Sequence, residues 1–145
     1  MNAEVGTRNA EQQARVTPPR DLRERTKAFA LDIVRLVQGL PRDRAADVIG
    51  RQLLRAGTSV AANYRSARRA RSRREFLAKL GIVEEEADES QFWLDLVVER
   101  RLGDAARVSG LREEARQLVA IVVSSIRTAR GTPLSIPHSA FRIPH

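Results

Sequence analysis

The 145-residue chain contains no cysteine. That excludes a disulfide scaffold, a thiolate metal site and a cysteine nucleophile, and it fits a reducing compartment. Histidine is nearly as scarce: His138 and His145 are the only two, and both fall in the C-terminal segment. The body of the chain therefore offers no imidazole as general base or metal ligand. Aromatic residues make up 4% of the sequence, with Tyr64 and Trp93 the single tyrosine and tryptophan, so little is available on which to stack nucleobases. No apolar run approaches the roughly 20 residues of a membrane-spanning helix. The opening stretch MNAEVGTRNAEQQARVTPPR lacks the apolar core of a signal peptide, and a soluble, cytoplasmic protein without a membrane partner is expected. No segment alternates apolar and polar residues between turn signals, which argues against a sheet.

What the chain has in abundance is arginine. Lys27 and Lys79 are the only lysines among 26 basic residues, and the net charge is +8 with a pI near 11.3. Such a balance favours polyanions, phosphate above all. Six arginines, at 65, 68, 69, 71, 73 and 74, fall within ten residues, and like charges three or four apart oppose helix formation.

The length suits one domain. Residues 1–19 are polar and aperiodic, closed by Pro18-Pro19, and read as a disordered tail. From Asp21, a candidate N-cap, Leu22, Thr26, Phe29, Ile33, Leu36 and Leu40 recur at spacings of four and three until Gly39 and Pro41 stop the helix. A second helix starts near Asp43 with Ile49, Leu53, Ala56, Val60, Asn63 and Ala67 on one face. Gly57 weakens its centre, so close helix packing is expected there. Ser72 and Glu75 form a capping-box pattern for a third helix, about Arg73 to Arg101, with Phe76, Leu80, Val83, Ala87, Leu94 and Val97 in its seam. A fourth runs from Asp104 or Gly110 to about Arg130 with Val108, Leu111, Ala115, Leu118, Val122, Ile126 and Ala129 aligned. The pattern predicts an all-α, antiparallel up-down four-helix bundle over residues 20–130. Residues 131–145 carry three prolines and cannot continue the helix, yet Leu134, Ile136, Phe141 and Ile143 give this tail apolar handles. Bulky residues nearly all round the third helix at Phe92, Trp93 and Leu96 imply a second burial surface, most simply a homo-oligomer interface.

Catalytic patterns are missing. The Glu-x-x-His repeat of di-iron bundles does not occur. Glu85-Glu86-x-x-Glu89 echoes the magnesium-holding element of all-α nucleoside triphosphate pyrophosphatases, but the second acidic motif those enzymes need is absent: Glu113 and Glu114 are followed at the third position by Arg116 and Gln117. No Walker loop or Gly-x-Ser-x-Gly element is present. No cofactor, no metal and no enzymatic activity are expected.

The run Gln52-Leu53-Leu54-Arg55-Ala56-Gly57-Thr58-Ser59-Val60-Ala61-Ala62-Asn63, followed by Phe76 in Ser72-Arg73-Arg74-Glu75-Phe76, resembles a known family. It is similar to the four-helix-bundle proteins encoded in intervening sequences of large-subunit ribosomal RNA genes, relatives of the accessory variability determinant proteins of diversity-generating retroelements. The resemblance covers about residues 22–128. It departs where many members follow the asparagine with Ile-Ala-Glu-Gly and this chain has Tyr64-Arg65-Ser66-Ala67, and where a common Gly-Ser pair is Glu85-Glu86; the glutamate that follows is matched by Glu89. The resemblance implies a homopentameric, ring-shaped barrel with a basic surface and no enzymatic activity, and, through the retroelement relatives, binding to nucleic acid and to a reverse transcriptase. Of the matched motif residues, Gln52, Ser59, Asn63 and Phe76 read as structural, with Asn63 an amide buried in the seam that fixes register.

Two functional readings follow. In the first, Arg65, Arg68, Arg69, Arg71, Arg73 and Arg74 form a cationic collar that binds RNA or DNA phosphates, widened by Arg112 and Arg116, with Arg127 and Arg130, on the fourth helix. In the second, the protein is a self-assembling adaptor whose arginines pair across subunits with the acidic run Glu84 to Glu89, its partner being a protein. Exposure of the guanidinium groups discriminates between them.

Overall fold

A computed structural model describes residues 21–131. The expected tails, with their prolines and apolar handles, lie outside the described residues. Four helices account for nearly all of the rest: α1 (Leu22–Gln38), α2 (Arg44–Arg68), α3 (Arg73–Glu99) and α4 (Ala105–Ala129). Each packs mainly on its neighbours in sequence, and α1 returns to α4 along a thinner seam. Short connections force consecutive helices antiparallel, the up-down arrangement expected.

Each helix starts where a side-chain oxygen can take an orphan backbone N–H. Asp21 accepts from the Glu24 amide at 3.3 Å, Asp43 from Ala46 at 2.8 Å, Ser72 from Glu75 at 3.0 Å and Asp104 from Ala106 at 3.1 Å. Asp104, rather than Gly110, is thus the start of α4. At α3 the capping box is offset by one residue, because Glu75 Oε2 accepts from the Arg71 amide at 3.2 Å rather than from that of Ser72. Helix α3 ends at Glu99, and Arg101 then takes φ +54° and Gly103 φ +69° to turn the chain into α4.

The core is the seam read from the sequence. Phe29, Ile33, Leu53, Val60, Leu80, Val83, Leu94, Val97, Leu118 and Val122 are fully buried, each contributing about 1.5–3 kcal/mol. Buried Thr26 and Ser90 satisfy their hydroxyls within their own helices, on the carbonyls of Arg23 (3.2 Å) and Glu86 (2.8 Å). The expected close approach occurs at Gly57: a methyl group there would lie 2.9 Å from both γ carbons of Ile33. Asn63 departs from expectation. It is only half-buried, and its amide donates to the Ser59 carbonyl at 2.9 Å along its own helix, so it joins no second helix. Among the described residues, no helix is long and apolar enough to cross a membrane.

Candidate nucleic-acid interface

The end of α2, the turn after it and the start of α3 carry the six clustered arginines. Arg65 and Arg68 occupy the last turn of α2, Arg69 is its C-cap, Arg71 lies in the turn, and Arg73 and Arg74 open α3. All are exposed except half-buried Arg73. Cations in the last turn of a helix meet the negative end of its dipole, which favours Arg65 and Arg68 where they stand.

Antiparallel pairing then adds residues that the clustered stretch does not reveal. The first two turns of α1 run beside the last two of α2, so Arg23 and Lys27 face Arg65, Arg68 and Arg69 across a groove of about 580 Å³ floored by Ala61 and Ala62. Among the described residues, none of these five cations pairs with a carboxylate. Arg25, between Arg23 and Lys27, turns the other way and holds Glu114 of α4 at 2.5 Å, bracing the thin α1/α4 seam. A sequence signal for Arg23 and Lys27 existed: they are four apart, off the Leu22–Thr26 stripe, and the up-down topology sets them beside Arg65 to Arg69. A smaller hollow of about 340 Å³ continues round the turn between Arg68, Arg71, Arg73 and Phe76.

Two of the five carboxylates in the acidic run are occupied elsewhere. Arg55 of α2 binds Glu86, with Nη1 3.3 Å from Oε2, and also Glu89, while its Nε donates to Gln52 Oε1 at 3.4 Å. Glu89 in turn accepts from the Trp93 indole N–H at 3.4 Å. The hydrogen bond from Arg55 holds the Glu89 carboxyl below the usual carboxylate range, whereas burial outweighs the same arginine and pushes Glu86 up. Within one chain, Arg55 rather than the collar takes these carboxylates.

Arg112 and Arg116 do not join the groove, which revises the surface expected of helix four. Arg112 sits 2.7 Å from Asp95 of α3, and Arg116 bonds Glu113 at 2.5 Å, pulling that carboxyl down to about 2. The reason is topological: α4 begins at the end of the bundle away from the collar, and only its last turns, with Arg127 and Arg130, return there. Gln52 and Phe76 are half-buried, Gln52 steadying Arg55 and Phe76 lining the hollow by the turn. Of the expected interface residues, Phe92 is 53% exposed and meets Trp93 edge-on with ring centroids 4.9 Å apart. Trp93 and Leu96 pack partly on the chain's own core.

Residues 21–124, nearly the whole bundle, match the family described as 23S rRNA-intervening sequence protein. The chain belongs to that family. It is similar in structure to a crystal structure of a protein of unknown function from the S23 ribosomal protein family of Bacteroides thetaiotaomicron, with 30% sequence identity and a TM-score of 0.68. That likeness covers 72% of this chain and 97% of the other. Among curated proteins none matches. The family stretch Gln52 to Asn63 supplies both Arg55, with its two glutamates, and Gly57, against Ile33, so it ties α2 to α3 and to α1 at one level of the bundle.

Proposed function

We propose that this protein is a non-enzymatic nucleic-acid-binding member of its family, acting in the cytoplasm and contacting RNA or duplex DNA through phosphates. The observation that carries the reading is the α1/α2 groove, where five cations from two helices converge and, among the described residues, no carboxylate pairs with them. Arginine forks suit phosphate oxygens. Among the described residues, groove and floor hold no aromatic side chain, so contacts run to the backbone and sequence preference is weak. The family's name, with its reference to 23S rRNA, supports a structured RNA as ligand.

Assembly belongs to the same proposal. Exposed Phe92 beside Trp93 supports self-association, and the family resemblance supports a five-membered ring that repeats the collar, with a reverse transcriptase as a further partner. The same exposed ring favours the second reading, a self-assembling adaptor for another protein, except that two of the carboxylates this reading assigns to the collar, Glu86 and Glu89, are held by Arg55.

The test is binding of labelled structured RNA and of duplex DNA across a salt series, using nuclease-stripped protein of measured assembly mass. Five phosphate contacts per chain give a slope of log affinity on log salt of about −4.5 for duplex DNA. Glutamine at all six collar positions removes three of the five groove cations and should cut that slope to about −1.8 in an assembly of unchanged size. Unchanged binding by that variant retires the nucleic-acid reading in favour of the adaptor.

A further inference from the structure

A second groove, about 590 Å³, runs along the α3/α4 side of the collar end and is lined by Phe76, Ala120, Ile121, Ser124, Ser125 and the last turn at Thr128 and Ala129. Among the described residues its lining holds no charged side chain, unlike the groove between α1 and α2, so it does not suit a polyanion. The Ser125 hydroxyl is spent on the Ile121 carbonyl at 2.9 Å, which makes the surface more apolar than its composition suggests. Its residues recur every four positions on α4, leaving a shallow trough with Phe76 as one wall.

The chain itself leaves α4 at the mouth of this trough. Gly131 takes φ +69° and donates to the Thr128 carbonyl at 3.0 Å, so α4 ends there on a left-handed residue. A methyl group on it would stand 4.0 Å from the Arg73 guanidinium, one turn before Phe76. The sequence then reads Thr132-Pro133-Leu134-Ser135-Ile136-Pro137. Two prolines forbid helix and favour extended backbone, in which Leu134 and Ile136 point to the same side.

We propose that the α3/α4 groove is the docking site of the chain's own C-terminal segment, with Leu134 and Ile136 as the inserted residues. The register follows from chain geometry. Three extended residues beyond Gly131 span about 10 Å, which corresponds to roughly seven residues back along a helix rising 1.5 Å each. That sets Leu134 level with Ser124 and, two residues on, Ile136 level with Ala120 and Ile121. The seated segment covers Phe76 and fixes the end of α4 next to the collar. Nucleic-acid binding is not required for it.

The test exploits the absence of cysteine, since any introduced pair has one disulfide to form. In the full chain, Ser124→Cys with Leu134→Cys should oxidise at low protein concentration to an intramolecular disulfide, seen as a compact monomer without free thiols on a denaturing gel. Ser109→Cys, on an exposed site near the far end of α4, paired with Leu134→Cys should not. A disulfide formed only between chains assigns the groove to a second copy and overturns the proposal, as does closure by both pairs or by neither. An independent check uses no cysteine: Leu134→Asp with Ile136→Asp should speed amide exchange over Ile121 to Ala129 at least tenfold, and unchanged exchange refutes the docking.

Discussion

Replacing Gly57 by alanine tests the packing that sets the cationic groove. In an exposed helix interior this change stabilises by about 1 kcal/mol, because alanine loses less backbone freedom on folding. Gly57 is not such a site. Its new methyl group would stand 2.9 Å from both γ carbons of Ile33 and 3.1 Å from the β carbon, inside contact distance of a fully buried, β-branched residue. Ile33 has little rotamer freedom to retreat, and overpacking a filled core costs about 1–3 kcal/mol. The net expectation is destabilisation of about 1 kcal/mol. Gly81, in the middle of α3, provides the internal control, since a methyl group there meets nothing within 4 Å. Gly81→Ala should stabilise by about 1 kcal/mol, leaving the two variants about 2 kcal/mol apart. Urea denaturation reads the difference as opposite shifts of midpoint at constant slope. The consequence reaches the site because Ala61, on the groove floor, lies one turn beyond Gly57 on α2, so helices forced apart at Ile33 open the groove and weaken binding in the same variant. If Gly57→Ala raises stability as much as Gly81→Ala, the close approach of α1 and α2 is refuted.

Four further outcomes are expected. Arg23→Gln with Lys27→Gln should lower the salt slope of duplex DNA binding by about 1.8, two contacts at about 0.9 each, while Arg112→Gln with Arg116→Gln leaves it unchanged. The Glu113 carboxyl should titrate at about 2 by carbon-detected NMR and move back towards its ordinary value of 4.5 in Arg116→Gln. Because that folded-state value is depressed, its small stabilising contribution is complete above the unfolded value and is lost as pH falls from about 5 towards 2. Arg55→Gln should raise the Glu89 carboxyl from its depressed value and shift the emission of Trp93, the only tryptophan, whose indole bonds Glu89. Phe92→Asp should reduce the assembly mass measured by light scattering without loss of helical circular dichroism, and an unchanged mass excludes Phe92 from the interface.

The fold was legible because its determinants are local. Asp21 and Ser72 were readable as caps and Asp43 as a helix start, and the alternating spacing of apolar residues named most of the buried seam before any packing was known. Gly57 could also be read, as a glycine where propensity alone disfavours one. The site was legible only where it is contiguous in sequence, from Arg65 to Arg74. Arg23 and Lys27 enter it through tertiary pairing, and no composition window contains both them and Arg65. Arg112 and Arg116 were misplaced for the same reason, since charge count says nothing about which end of an antiparallel helix is meant. Asn63 was misjudged because a helical asparagine can return its amide to the carbonyl four residues back, so a seam position need not mean a partner on another helix.

The clustered arginines need no neutralising partner for the chain to fold. Each like-charge pair three or four apart costs only about 0.2–0.5 kcal/mol, against about 1.5–3 kcal/mol contributed by each large core residue. The turn at Ala70–Ser72 divides the cluster further: Arg65, Arg68 and Arg69 stand at the dipole-favoured end of α2, and Arg73 and Arg74 are adjacent residues that do not share a face on α3. Folding is therefore indifferent to whether the charge is neutralised, and an acidic partner is not demanded by stability. The acidic run lies within three turns of the collar on α3, yet its inward carboxylates meet Arg55 in the middle of the bundle. A chain built to cancel its arginines would set them opposite Glu84 to Glu89. This one gathers them instead at the end where Arg23 and Lys27 add charge of the same sign, an arrangement that favours a polyanion from outside the chain.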